Sequence, residues 1–394
     1  LWAGAADVYA ETGEKDLLTA LERIWKDAVY RKMYVTGGIA ALHKGFSIRG
    51  DQVWEAFGME YELPNGTAYN ETCASLAHAM WNWRMLGVTG EARYADVVEQ
   101  VIYNAALAGW GLDGKSYCYT NPLRRHGKED RLLSQDSLQR WESTTDPGAP
   151  HCYCCPPNMT RTVAEFAGWA YSWSDKTVWV NFYGANSLKT ALPDGTRVDL
   201  TQATAYPWDG KVTITVKQLS GPEGALMLRI PGWAVSPRLA VNGKPVAVAL
   251  RPQSYAEVRR RWSPGDKVEL DLGMQTRLAE ANPRVEEARN QVAVTRGPIV
   301  YCLESPDLPA GIGVDDVAVP PDAKFTPRYD AGLLKGVTVL EGEGRLVRSG
   351  DWSGQLYRFL KPGAPESVKL RLIPYYAWGN RGIPYMTVWL PLAR

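Results

Sequence analysis

The chain has 394 residues, a net charge of +1 and 45% hydrophobic residues. That length implies two or three domains. The charge balance removes the broad basic field on which nucleic-acid binding relies, and no apolar run is long enough to span a bilayer.

The chain opens with LWAGAADVYAETGEKD, inside a helical pattern and without Met, signal peptide or anchor, so an N-terminal segment is expected to be missing. In Asp16–Arg31, Leu17, Leu18, Leu21, Ile24, Trp25, Ala28 and Val29 fall on one face of a 3.6-residue period and predict a helix. Further helices are predicted from about Thr72 to Leu86, over Glu91–Ala108, and from Pro156-Pro157 to about Trp173, Pro being well placed in a first helical turn. Loops between them carry TGGIAALHKGF, YELPNGTAYNETC and SYCYTNPL. Arg124-Arg125 reads as a solvated loop pair, and His78 and Glu165 as structural residues on helices.

After Ser174 the period changes to two. TVWVNFY, KVTITVKQL, ALMLRIPGW, RLAVNGKPV and KVELDLG read as short alternating strands of an antiparallel sandwich, with Asn242-Gly243 as a hairpin turn. QVAVTRGPIVYCLE opens a further strand set that closes near the C-terminus. The order is α, then β, in three parts: residues 1–174, 175–285 and 286–394. Sixteen Trp and 20 Tyr against six Phe suit either sandwich cores or the faces of sugar rings.

Three of six cysteines crowd into HCYCCPPN, His151–Asn158. That is too sparse a set for a disulfide framework, and a Cys154–Cys155 bridge would be strained. Zinc takes Cys, His and carboxylate ligands. The run offers His151, Cys152, Cys154 and Cys155, and YNETC adds Glu71 and Cys73. Residues i and i+2 of a regular helix point apart, so Glu71 and Cys73 can share a metal only if Glu71 precedes the regular turns, with Thr72 as N-cap. Cys154 and Cys155 stand at another helix mouth, where the dipole lowers thiol pKa. A buried structural thiol cluster and a redox cluster remain alternatives. Cys118 and Cys302 read as core residues.

GDQVWEAFGMEYELPNGTAYNETCASLAHAMWNWRM, SYCYTNPL, HCYCCPPNMTRTVAEFAGWAYS, TRGPIVYCLE and YYAWGNRGIPYMTVWLP together resemble glycoside hydrolase family 127, the β-L-arabinofuranosidases, and relatives such as family 146. The resemblance implies an (α/α)6 barrel followed by β-sandwich domains, and retaining release of L-arabinofuranose by a zinc-bound cysteine. Carried over motif by motif, it implies zinc on Glu71, Cys73, Cys154 and Cys155, Cys154 as nucleophile and Glu55 of WEAF as acid/base. Tyr119, His43 and Glu99 would touch the sugar. His151 and Cys152 receive no defined role.

About five helical segments are too few for a twelve-helix ring, so the barrel is expected to be partial, completed by a missing N-terminal segment or by a second copy in a homo-oligomer. Zinc-held free thiols favour a reducing, cytoplasmic compartment. Two other readings stay open: a zinc hydrolase acting on another sugar through activated water, and a carbohydrate-binding protein without turnover.

Overall fold

The computed structural model describes residues 1–47, 49–127, 142–143, 154–220, 223–347, 352–359 and 366–393. The chain divides into two compact units, each assembled from separate stretches. The first comprises Leu1–Arg23, Leu76–Ile102 and Thr160–Gln275, and the second Ile24–Ser75, Tyr103–Met159 and Thr276–Arg394.

Five α-helices occur among the described residues: α1 (Trp2–Thr12), α2 (Lys15–Arg31), α3 (Thr72–Thr89), α4 (Ala92–Gln100) and α5 (Cys155–Phe166). The periodicity expected in α2 is real, with Leu21, Trp25 and Ala28 buried. Two helices are shorter than their patterns. The helix expected over Glu91–Ala108, α4, stops at Gln100 and continues as a π-turn over Val101–Ala106 and a 3-10 turn over Leu107–Gly109. Within that π-turn the buried Asn104 donates from Nδ2 to the Pro298 carbonyl at 2.8 Å and accepts the Val300 N–H at 2.7 Å. The helix expected from Pro156-Pro157 to about Trp173, α5, ends at Phe166, because Tyr171–Ser174 turns back at Asp175 to pair with Thr177–Val180.

The architecture as a whole is mostly β and multidomain, and five helices do not make an (α/α)6 ring. In the first unit, a six-stranded sheet runs in the order 244–245, 238–241, 266–271, 211–219, 197–204, 186–191. Alternate residues such as Val212, Ile214 and Val216 are buried, the mark of a sheet with one covered face. A four-stranded sheet has Gly224–Ile230 at its centre, buried on both faces. The expectation of a purely antiparallel sandwich is corrected here, since Gly224–Ile230 runs parallel to Thr177–Val180. Asn242 and Gly243, both at positive φ, make the expected hairpin turn.

The second unit holds a ten-stranded sheet, including the pair Gln291–Arg296 and Ile299–Glu304. That sheet includes β4 (Arg124–His126), and beside it the unit holds the hairpin β1 (Leu42–Phe46) and β2 (Gln52–Ala56) and the short pair β3 (Ser116–Tyr117) and β5 (Glu142–Ser143). Arg125 is not a solvated loop residue. It lies on β4 opposite Met386 and is buried, its Nε donating to the Gly127 carbonyl. No helix among the described residues is long and apolar enough to cross a membrane.

The core of the first unit contains a fully buried arginine. Arg229 donates from Nη1 to Asp96 at 2.6 Å, from Nη2 to Glu99, and from Nε to the Asn181 carbonyl. A buried charge is tolerable only when fully paired. Removing one partner strands the others, so Arg229→Met should cost about 3–5 kcal/mol, read as a fall in the urea midpoint. Burial holds the Asp96 carboxyl up at about 6 even beside Arg229. A raised folded pKa favours folding at low pH, and that contribution is lost as pH rises from the ordinary carboxylate value to about 6. Asp96→Asn should therefore flatten the stability profile between about pH 4 and pH 6 in thermal melts across that range.

Candidate metal and catalytic site

Four separate segments of the second unit build the site. The first is the β1–β2 hairpin, which the sequence pattern leaves as loop. Its register pairs Leu42 with Ala56 and Lys44 with Trp54, so His43 and Glu55 stand at the same level on facing strands. Glu55 has φ 51°, a left-handed conformation that a non-glycine residue rarely takes inside a strand. It interrupts the regular pleat at the expected acid/base position.

The second and third segments are locked together. The stretch ahead of α3 docks on residues 118–121 through a Glu71–Thr120 bridge and the Thr72 N–H to the Tyr119 carbonyl, 3.0 Å. Buried side chains complete the junction. Asn70 donates to the Asn121 carbonyl at 2.9 Å, and Asn121 donates to the Asn70 carbonyl and to Thr72 Oγ1. Thr72 Oγ1 in turn donates to the Cys118 carbonyl at 2.7 Å. Thr72 is thus the first residue of α3 with its hydroxyl turned to Cys118, rather than a side-chain cap. Glu71 lies outside the regular turns, the condition under which it and Cys73 can face one point. Two glycines make room: a Cβ on Gly109 would meet Thr72 Oγ1 at 2.4 Å, and one on Gly38 would meet Asn70 Oδ1 at 1.7 Å.

The fourth segment is the mouth of α5. Glu71, Cys73, Cys154 and Cys155 bring their donor atoms within 4.8 Å of one another. Cys73 Sγ lies 3.5 Å from Cys155 Sγ, Cys154 Sγ lies 3.7 Å from Glu71 Oε1, and the two adjacent sulfurs are 4.0 Å apart. Tetrahedral zinc, with bonds of about 2.3 Å to sulfur and about 2.1 Å to oxygen, separates its donors by roughly 3.6–3.8 Å. The donor set suits such an ion in chemistry, the separations of 3.5, 3.7 and 4.0 Å lie near that range, and the four residues could hold a metal. Asn158 Nδ2 donates to Cys73 Sγ at 3.1 Å. Cys155 is buried, Cys73 half-buried, and Cys154 exposed.

Tyr119 joins the carboxylate hairpin to the thiols. Its hydroxyl donates to Glu55 Oε1 at 3.0 Å, and its ring packs on a buried cluster of Tyr117 and Cys155, with Cys73 beside it. Burial, then the Glu71 and Glu55 carboxylates, holds the Tyr119 phenol well above its ordinary range, so it stays a neutral donor. The same holds for the Tyr69 phenol, raised by burial first. Tyr69 stacks on His43 at 4.9 Å between ring centroids and tilts against Tyr119 at 5.7 Å.

His43, Glu55, Glu71, Cys73, Tyr119, Cys154 and Cys155 therefore all belong to the second unit. Glu99 does not. It lies in the first unit, where its carboxylate accepts from Arg229, Tyr206 and Trp233. Glu99 is 1% exposed, so its carboxylate is held in a buried pairing. His151 and Cys152 lie outside the described residues. His78 is a core residue, its ring pushed down to about 3 by burial and so neutral. Tyr69 and Asn158 were not singled out from the sequence. Each lies in a quoted motif, Tyr69 two residues before Glu71 and Asn158 closing CCPPN.

Comparison with known proteins gives a consistent result. Residues 2–168 match the β-L-arabinofuranosidase GH127 catalytic domain, 177–274 the GH127 middle domain, and 276–391 the glycoside hydrolase family 127 C-terminal domain. A non-reducing end β-L-arabinofuranosidase of Bifidobacterium longum subsp. longum is 36% identical over 98% of this chain and 57% of its own. A solved glycoside hydrolase superposes with TM-score 0.92 at 46% identity, covering 100% of this chain and 65% of that one. The crystal structure of a GH127 β-L-arabinofuranosidase from Geobacillus stearothermophilus T6 gives 0.87 at 37%, covering 100% and 59%. The chain thus spans 57% of the length of the curated relative.

The junction behind the donors is testable without any substrate. Gly109→Ala drives a methyl group into Thr72, and overpacking of that kind costs about 1–3 kcal/mol. Zinc titration followed by calorimetry should show weaker binding in Gly109→Ala and loss of most binding in Cys73→Ala. Undiminished binding in Cys73→Ala would remove it from the donor set.

Proposed function

The chain belongs to glycoside hydrolase family 127, and from that premise we propose that it is a retaining exo-β-L-arabinofuranosidase, with Cys154 as nucleophile and Glu55 as acid/base. Zinc on Glu71, Cys73, Cys154 and Cys155 belongs to the same proposal, as does a partial (α/α)6 barrel within residues 1–174 ahead of β-domains at 175–285 and 286–394. The observation that carries the reading is the convergence of three sulfurs and a carboxylate in which one thiol, Cys154, is exposed to solvent while Cys155 is buried.

A retaining glycosidase needs a nucleophile on one face of the anomeric carbon and a proton donor at the leaving oxygen. Cys154 attacks the anomeric carbon as the C–O bond breaks, and Glu55 delivers its proton to the departing oxygen. The second step reverses the roles: Glu55 takes a proton from water, the water oxygen bonds to the anomeric carbon, and the C–S bond breaks to return the thiolate. Bound zinc would keep the thiols deprotonated at neutral pH. Tyr119, hydrogen-bonded to Glu55, orients that carboxyl for both steps. His43 and Tyr119 are the sugar contacts in this reading. Their rings, joined through Tyr69, offer flat faces beside Glu55.

Anomeric analysis separates this from hydrolysis by activated water. An arabinofuranoside substrate should yield the β-anomer first, followed by mutarotation in the NMR spectrum. Cys154→Ser should abolish turnover and keep binding, and an anomeric electrophile should label Cys154 but not Cys155. Glu55→Gln should lose about 10²–10⁴-fold in rate, less with aryl leaving groups that need little protonation. First release of the inverted anomer would reject the thiolate mechanism.

A further inference from the structure

The outward face of the β1–β2 hairpin has no part in the roles assigned above. Phe46 and Trp54 are 76% and 56% exposed, two large rings left in water on strands of five residues. Cross-strand pairing sets Lys44 beside Trp54 and Phe46 beside Gln52, so these four side chains share one face. Lys44 Nζ lies 4.8 Å from the centre of the Trp54 ring, a cation–π contact that covers one side of the indole and steadies it. His43 meets the same indole edge-on at 6.4 Å. An unbroken run of rings, Trp54, His43, Tyr69 and Tyr119, therefore leads from the open face to the Glu55 carboxylate.

We propose that Trp54, with Phe46, Lys44 and Gln52 beside it, binds the leaving-group sugar, the ring attached to the oxygen that Glu55 protonates. The proposal rests on the acid role given to Glu55. A general acid works at about 2.6–3.2 Å from the oxygen it protonates. The ring bonded to that oxygen must then lie within one sugar's width of the residues flanking Glu55. Of those two flanks, Ala56 has no ring and Trp54 has an open one. Sugar C–H faces pack on indole, while Lys44 and the Gln52 amide offer hydrogen bonds to ring hydroxyls. A plain alkyl aglycone would use neither. The site therefore selects arabinofuranose linked to a further sugar over simple glycosides.

The test compares the 394-residue protein with its Trp54→Ala, Trp54→Phe and Phe46→Ala variants on two substrates, methyl β-L-arabinofuranoside and a β-L-arabinofuranosyl disaccharide. The readout is the ratio of kcat/KM for the disaccharide to that for the methyl glycoside. Trp54→Ala should lower the ratio about tenfold, Trp54→Phe should restore most of it, and Phe46→Ala should lower it less. An unchanged ratio in Trp54→Ala overturns the proposal, even if both activities fall together. A parent protein that hydrolyses neither substrate leaves the arabinofuranosidase reading without support and does not bear on the platform. Calorimetric titration with the disaccharide then decides the platform: about tenfold weaker binding in Trp54→Ala supports it, and an equal Kd overturns it.

Discussion

The site depends on one buried junction, the exchange of amide and hydroxyl hydrogen bonds among Asn70, Thr72 and Asn121. All three residues are excluded from water. Each bond formed contributes modestly, but an orphaned donor there costs about 1–3 kcal/mol, so the set holds or fails together. Its effect is registration. It fixes the chain ahead of α3 against residues 118–121, and so sets Glu71 and Cys73 on one side of the junction and Tyr119 on the other. Gly38 and Gly109 are small because this contact is close.

Tyr119 turns that registration into chemistry. One end of the side chain packs toward the sulfurs and the other donates to Glu55. A neutral phenol between a carboxyl and a thiol cluster ties their positions together without adding charge. The first unit places its own polar set differently: Arg229 takes up Asp96 and Glu99 in a closed core network. There every acceptor is spent on holding the fold, whereas in the second unit an exposed thiol and the hairpin carboxylate remain on the surface of the set.

The parts legible in the sequence are those set by local pattern. The apolar stripe of α2, the strand Lys211–Leu219 and the Asn242-Gly243 turn each follow from residues within one element. The thiol crowding of Cys154 and Cys155 is equally local. What escaped was set by partners far along the chain. Arg125 is buried because β4 pairs with Tyr385–Thr387, and Glu99 is occupied by Tyr206, Arg229 and Trp233. The β1–β2 hairpin escaped for a different reason. LHKGF and QVWEA lack a clean alternation, and a glutamate at positive φ breaks what pattern there is. The π-turn in Val101–Ala106 keeps the helical apolar spacing, so its sequence reads as ordinary helix.

The prolines at the mouth of α5 have a bearing on which small anions the site admits. A helix start is normally a ready phosphate trap, because its first amides point outward unspent. Here Pro156 and Pro157 have no N–H to offer, and the Asn158 N–H is committed to the Cys154 carbonyl at 3.1 Å. The mouth thus presents sulfur to whatever approaches and withholds the amide cradle that would detain phosphate or sulfate. The loss of two backbone hydrogens, beside the Glu71 carboxylate 3.7 Å from Cys154, leaves a small anion little to hold at the thiols.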